Sequence, residues 1–189
     1  MKLTHLTQDA YETRPWKNGK GLTTEIYRSS TGADQGDFDI RISLAPITED
    51  GPFSPFPGAD RRITLIEGAG LDLDFGDHVL HLNPFEPQGF DTGLAPTGRP
   101  LGGPVRVINI MARRDAWRFV DCRVVSELDE TLVDNQLGVF FTASGNWTDE
   151  DTLALEAHHT LLVEGPGLMR LSGTADHKGI FAVLEKQQA

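Results

Sequence analysis

Glycine and proline cut this chain into pieces too short for ordinary helices, with 20 glycines and 11 prolines spread over 189 residues. Between them, apolar and polar side chains alternate. Alternation with period two puts successive side chains on opposite faces of a strand, whereas an amphipathic helix needs apolar residues three and four apart. The chain therefore reads as all-β. Candidate strands run over 2–6, 23–28, 38–44, 62–67, 71–75, 79–82, 105–112 and 118–125. Later ones run over 138–143, 151–157, 160–163, 167–172 and 179–184. A single helical turn fits 7–11.

One internal echo bears on domain organisation. Leu65-Ile66-Glu67-Gly68-Ala69-Gly70-Leu71 returns as Leu162-Val163-Glu164-Gly165-Pro166-Gly167-Leu168. Each copy reads as an apolar strand, a Gly-x-Gly turn and a second strand, a hairpin within a jelly-roll-type sheet. The echo predicts two related β units, the alternative being coincidence between two ordinary hairpins. The length accommodates one domain or two small fused halves.

The stretch from Pro15 to Ile26 spends its residues unusually. Proline fixes an entry angle, Asn18-Gly19 takes the positive φ values of a tight turn, and Thr23 to Arg28 has the mixed β-branched and polar character of a half-buried strand. A tight turn anchored by Trp16 is the plainest reading of these residues.

A net charge of -11 argues against a nucleic-acid surface and disfavours anionic membranes. It does not forbid an anionic ligand if a few arginines gather inside a cleft. No apolar run approaches spanning length and the first residues lack a signal-peptide pattern, so a cytoplasmic protein is expected. The one cysteine, Cys122, lies in an alternating stretch and reads as structural.

Metal ligation is not expected. Six histidines are present without a His-x-His pair. On one strand, residues three apart, such as His78 and His81, point to opposite faces, and so do the adjacent His158 and His159. Glu67 and Glu164 read as strand ends leading into glycine turns.

The informative residues are polar side chains on strands that should fill a barrel with hydrocarbon, because a buried polar group is costly without a partner. Arg41 and Ser43 share a face with Asp39, Arg61 shares one with Ile63 and Leu65, and Asn109 shares one with Val105, Val107 and Met111. The opening stretch adds Asn18, Thr23 and Glu25. Arginine holds a carboxylate by two parallel hydrogen bonds, and Asn and Ser can fix a second polar group. Trp16, Phe53, Phe56 and Phe85 offer apolar walls. The alternative is that Arg41 and Arg61 pair with Asp39 and Asp60, and that Asn109 closes a bulge.

Pro15-Trp16-Lys17-Asn18-Gly19-x-Gly21-x-Thr23-x-Glu25-Ile26 resembles the signature of the HutD/Ves family of cupin-like proteins. Phe38-Asp39-Ile40-Arg41-Ile42-Ser43, the run from Asp50 to Gly58, Asp60-Arg61, Thr64 to Gly68, Pro84-Phe85-Glu86-Pro87 and Asn109 to Arg114 follow in the family's order. Lys20 stands where the family usually has glycine, and Ile40 where it usually has Trp. The resemblance implies a bicupin of two jelly-roll-like β barrels, with residues 1–116 carrying the ligand pocket and 117–189 forming a smaller cupin-like unit. It further implies a metal-free, cofactor-free binding or regulatory protein of histidine utilisation that senses a small carboxylate such as formylglutamate or urocanate, and a possible homodimer. The competing readings are a cupin oxygenase, a metal-free isomerase or lyase using Glu25 as general base, and a self-associating scaffold. The binding residues it implies are Trp16, Asn18, Thr23, Glu25, Arg41, Ser43, Phe53, Arg61, Phe85, Asn109 and Met111.

Overall fold

A computed structural model describes residues 1–15, 21–30, 37–149, 152–174 and 176–187. The chain enters with strand β1 (Lys2–Leu6) and a 3-10 turn at Gln8–Ala10, as the sequence predicts. Next come β2 (Glu12–Pro15), β3 (Leu22–Ser30), β4 (Phe38–Ile47), β5 (Gly51–Pro52) and β6 (Ala59–Glu67). β7 (Gly70–Asp74), β8 (Val79–Leu82), β9 (Gln88–Asp91), β10 (Thr97–Leu101) and β11 (Val105–Arg113) follow. The remaining strands are β12 (Trp117–Val125), β13 (Glu127–Leu132), β14 (Gln136–Ser144), β15 (Trp147–Thr148), β16 (Ala154–Leu155), β17 (Thr160–Glu164), β18 (Gly167–Gly173) and β19 (Lys178–Lys186). The fold is all-β, with only two 3-10 turns among the described residues.

Two compact units divide the chain: Tyr11–Trp117, and Arg118–Ala189 together with Met1–Ala10. The sequence assigned residues 1–116 to one unit; the first ten depart from that division. The reason is pairing, since β1 runs antiparallel to β17 with Lys2 opposite Glu164 and Leu6 opposite Thr160. His5 Nε2 also lies 3.0 Å from His159 Nδ1.

In the unit Tyr11–Trp117 a six-stranded sheet, β2-β3-β4-β11-β6-β9, faces a four-stranded one, β5-β10-β7-β8. Ala45, Ile47, Ile63, Leu65, Val105 and Val107 from the larger sheet meet Leu71, Leu73 and Leu82 from the smaller. These are alternate residues of their strands, so period two delivers one continuous apolar layer. The other unit repeats the plan with a five-stranded sheet, β1-β17-β14-β19-β12, and a four-stranded one, β13-β18-β15-β16. Its core holds Phe140, Phe181, Trp147, Leu161, Val163, Met169 and Leu171. Cys122 is half-buried on β12.

The internal echo occupies equivalent places, but not as hairpins. β6 belongs to the six-stranded sheet and β7 to the four-stranded one, and β17 and β18 are likewise in different sheets. The Gly-x-Gly turn is a corner that carries the chain across the core, with Gly68 at φ 103 and Gly165 at φ 84. Hydrogen bonds formed elsewhere in each sheet outcompete local pairing of the two arms. Glu67 and Glu164 end their strands, as expected, and pair with Arg106 and Lys2.

Sequence reading missed β2, β5, β9, β10, β13 and β15, and gave a strand over 151–157 where, among the described residues, only Ala154–Leu155 pairs. The missed strands carry Pro15, Pro52, Gly89, Gly98, Pro100 and three acids in β13, which read as loop composition.

Candidate functional site

The ladder of the six-stranded sheet assembles the polar positions. Across β6, β11 and β4, Arg61 stands opposite Met111 and Met111 opposite Arg41. In the adjoining row Ile63 is opposite Asn109, Asn109 opposite Ser43, and Ser43 opposite Glu25 on β3. Residues directly opposite share a face. At one end that face is the hydrocarbon layer; at the other it becomes polar and borders a cavity of about 510 Å³. Thr23, Arg41, Ser43, Phe53, Arg61, Asn109 and Met111 line it, with Phe56.

Trp16 and Asn18 lie outside the described residues. Two other predicted positions, Phe85 and Glu25, stand elsewhere. Phe85 does not line the cavity; it sits at φ 61 in the turn after β8, its N–H bonded to Leu65 O at 2.9 Å. A second aromatic ring beside Arg61 is that of Phe90, whose centre is 5.3 Å from Arg61 Cζ. Glu25 is also absent from the lining and sits behind Arg41.

Arg61 is the unusual group. It is 4% exposed, and no carboxylate lies within ion-pair distance of it among the described residues. Its Nη1 donates to Asn109 Oδ1 at 3.3 Å and its Nη2 to Thr92 Oγ1 at 2.9 Å. Its Nε has no hydrogen-bond partner among the described residues. The ring of Phe53 is centred 5.1 Å from its Cζ. Burial, reinforced by the charge of Arg41, lowers its pKa from the ordinary arginine value to about 9. Asp60 is not its partner, because Asp60 and Asp91 both bind Arg114, at 2.8 and 2.5 Å. Nor does Asn109 close a bulge; the register shift of β11 falls at Arg106/Val107.

Arg41 is held differently. Its Nε donates to Glu25 Oε2 at 2.9 Å, and its Cζ lies 5.4 Å from the Phe56 ring centre. Asp39, the acid expected from sequence, makes no ion pair with Arg41 among the described residues. Glu25, 8% exposed, also faces Arg28 Nε at 3.5 Å and Arg14 Nε at 3.7 Å. Strict alternation would send residues 25 and 28 to opposite faces. A register shift between Glu25 and Tyr27 changes the parity, so Arg28 comes opposite Arg41.

Sequence reasoning therefore missed Arg14, Arg28, Phe90 and Thr92. The bulge hides Arg28. Thr92 is buried in a 3-10 turn whose start is capped by Asp91 accepting from Gly93 N at 2.8 Å. The Asp-Thr-Gly run signals that turn, but not what it touches.

The histidines are dispersed: His78 bonds Asp77, His81 bonds Asp72, and His5 meets His159. Among the described residues no group of three or more His, Cys, Asp and Glu side chains is placed to hold a metal ion. No helix among them is long and apolar enough to cross a membrane.

Two-sheet β units with a polar-lined cavity at one end of the strands define a cupin-like protein. Solved structures agree. HutD from Pseudomonas fluorescens is 27% identical over 99% of this chain and 100% of that one, with a TM-score of 0.82. A conserved protein of unknown function from Pseudomonas aeruginosa is 28% identical over the whole of both chains, also at 0.82. A bacterial pirin from Escherichia coli in complex with nickel(II) is 11% identical over 97% and 99%, at 0.69, a likeness of fold alone. The chain belongs to the HutD family, whose model matches residues 8–182.

Proposed function

We propose that this cupin-fold protein of histidine utilisation is a metal-free, non-catalytic sensor of a small carboxylate of formylglutamate or urocanate type, bound at Arg61. The observation that carries the reading is the buried Arg61 guanidinium, which has neutral hydrogen-bond partners, aromatic rings and an open cavity but no carboxylate among the described residues. Leaving a cation so placed is costly, and an anion that brings two oxygens to its unused N–H groups relieves the cost. Ser43, Asn109 and Arg41 stand close enough along the sheet to fix a second polar group of the same ligand. Catalysis by Glu25 as general base is disfavoured by its place: it is outside the cavity wall and engaged by three guanidiniums.

The test is a thermal-shift series over formylglutamate, urocanate, glutamate and imidazole acids. A ligand bound only by the folded state stabilises it by about 2.7 kcal/mol at a hundredfold excess over its dissociation constant. At least one acid should raise the melting temperature of the wild type, and Arg61→Ala should lose the shift while remaining folded. Equal shifts in both proteins would mean that Arg61 is structural and the reading is wrong.

A further inference from the structure

Phe53 can rest beside Arg61 only because the residue beneath its ring has no side chain. Gly98 lies on β10, paired with Gly51 of β5 and Leu73 of β7, in the sheet opposite Arg61. A Cβ built on Gly98 would stand 2.6 Å from Phe53 Cε2 and 3.4 Å from Cδ2, with Leu71 Cδ1 at 3.6 Å on its flank. The first distance is far inside van der Waals contact, so the ring must move. The backbone at Phe53 is tied in place, its N–H donating to Pro96 O at 2.9 Å, which leaves rotation of the side chain as the response. The same ring lies over the Arg61 guanidinium.

Backbone strain is not the reason for glycine here. Gly98 is not among the glycines with positive φ, so alanine fits its backbone and the conflict is confined to Phe53. This separates it from Gly68, where backbone and space both demand glycine.

We propose that Gly98 is a positioning residue of the cavity: its missing side chain seats the Phe53 ring over Arg61, and the seated ring keeps water from the guanidinium that receives the acid. This rests on the carboxylate-binding reading above. An aromatic ring over a desolvated guanidinium strengthens every charge-assisted contact the guanidinium makes, because the local dielectric is low. A methyl group at position 98 removes that cover without touching the arginine. Nothing in the composition of β10 announces the role, which appears only when the two sheets face each other.

The experiment is a double-mutant cycle read by calorimetric titration of formylglutamate and urocanate into full-length wild type, Gly98→Ala, Phe53→Ala and the double variant. With a cation–π cover lost, Gly98→Ala should weaken binding of the responding acid roughly tenfold. Phe53→Ala should weaken it similarly, and the double variant no more than either single change, since both remove the same ring. Melting temperatures without ligand separate a lost cover from a damaged fold; should Gly98→Ala be poorly folded, Phe53→Leu provides the same comparison from the ring's side. Losses that add, or a Gly98→Ala protein that binds like wild type, overturn the proposal. A wild type that binds none of the acids overturns the carboxylate reading itself.

Discussion

Position 61 shows how one side chain can give a cavity its chemistry. Arg61 stands on an otherwise apolar face between Ala59 and Ile63, both fully buried, and a guanidinium in that setting is legible from sequence as an anomaly. Its lack of an acid was not legible, because Asp60 is adjacent in the chain and only the fold commits it to Arg114. A pH prediction follows from its depressed pKa of about 9. A bound acid favours the charged form, so the complex holds the proton at higher pH than the empty protein does. Affinity for the acid should then fall as pH rises above about 9, measurable by titration across pH 7 to 10.5, and an affinity that stays flat over that range contradicts it. Stability without ligand runs the other way. Above this pKa the unfolded chain binds more protons than the folded one, so the Arg61 contribution to stability rises with pH there.

At the scale of elements, the Gly-x-Gly corners are the repeated device. Strand positions were largely legible because period two is strong in β4, β6 and β11, where the core needs one apolar face. The role of the turn was not, since a hairpin and a corner between sheets share the same local signal and differ only in the partners their arms find. The two corners should respond unequally to alanine. At Gly68, φ is 103 and a Cβ would meet Val105 Cγ1 at 2.6 Å and Pro104 O at 3.1 Å. At Gly165, φ is 84 but nothing lies within 4 Å. Gly165→Ala should cost only the left-handed backbone term, about 1–2 kcal/mol, and Gly68→Ala that amount plus a clash, on the order of 3 kcal/mol or more. Urea unfolding of the two variants checks the order; equal losses would show that the backbone term alone matters.

Across the whole molecule, the echo made a division into two β units legible, but not the assignment of the first strand. Lys2 to Leu6 alternates like any strand, and nothing local says that its partner lies at Thr160 to Glu164. At the edge of its sheet β1 covers one side of β17, whose N–H and C=O groups would otherwise be bare. Removing residues 1–10 should therefore lower the melting temperature and promote association through the uncovered strand, as seen by light scattering. A truncated protein that stays monomeric and equally stable would show the edge to be protected in another way.

That pairing also sets an order in time. The segment Tyr11–Trp117 is continuous in the chain, so all its strands are available once it has been made. β1 precedes that segment in the chain, yet its partner strand emerges some 150 residues after it, as the separation of 154 between His5 and His159 shows. At ribosomal speeds of about 5–20 residues per second, that interval is roughly 8–30 seconds. During it a short strand bearing Leu3 and Leu6 waits without its neighbour, as a nascent segment open to chaperones. The cavity-bearing unit has its whole sequence in hand well before then, so its strands can pair while the other unit is still being built.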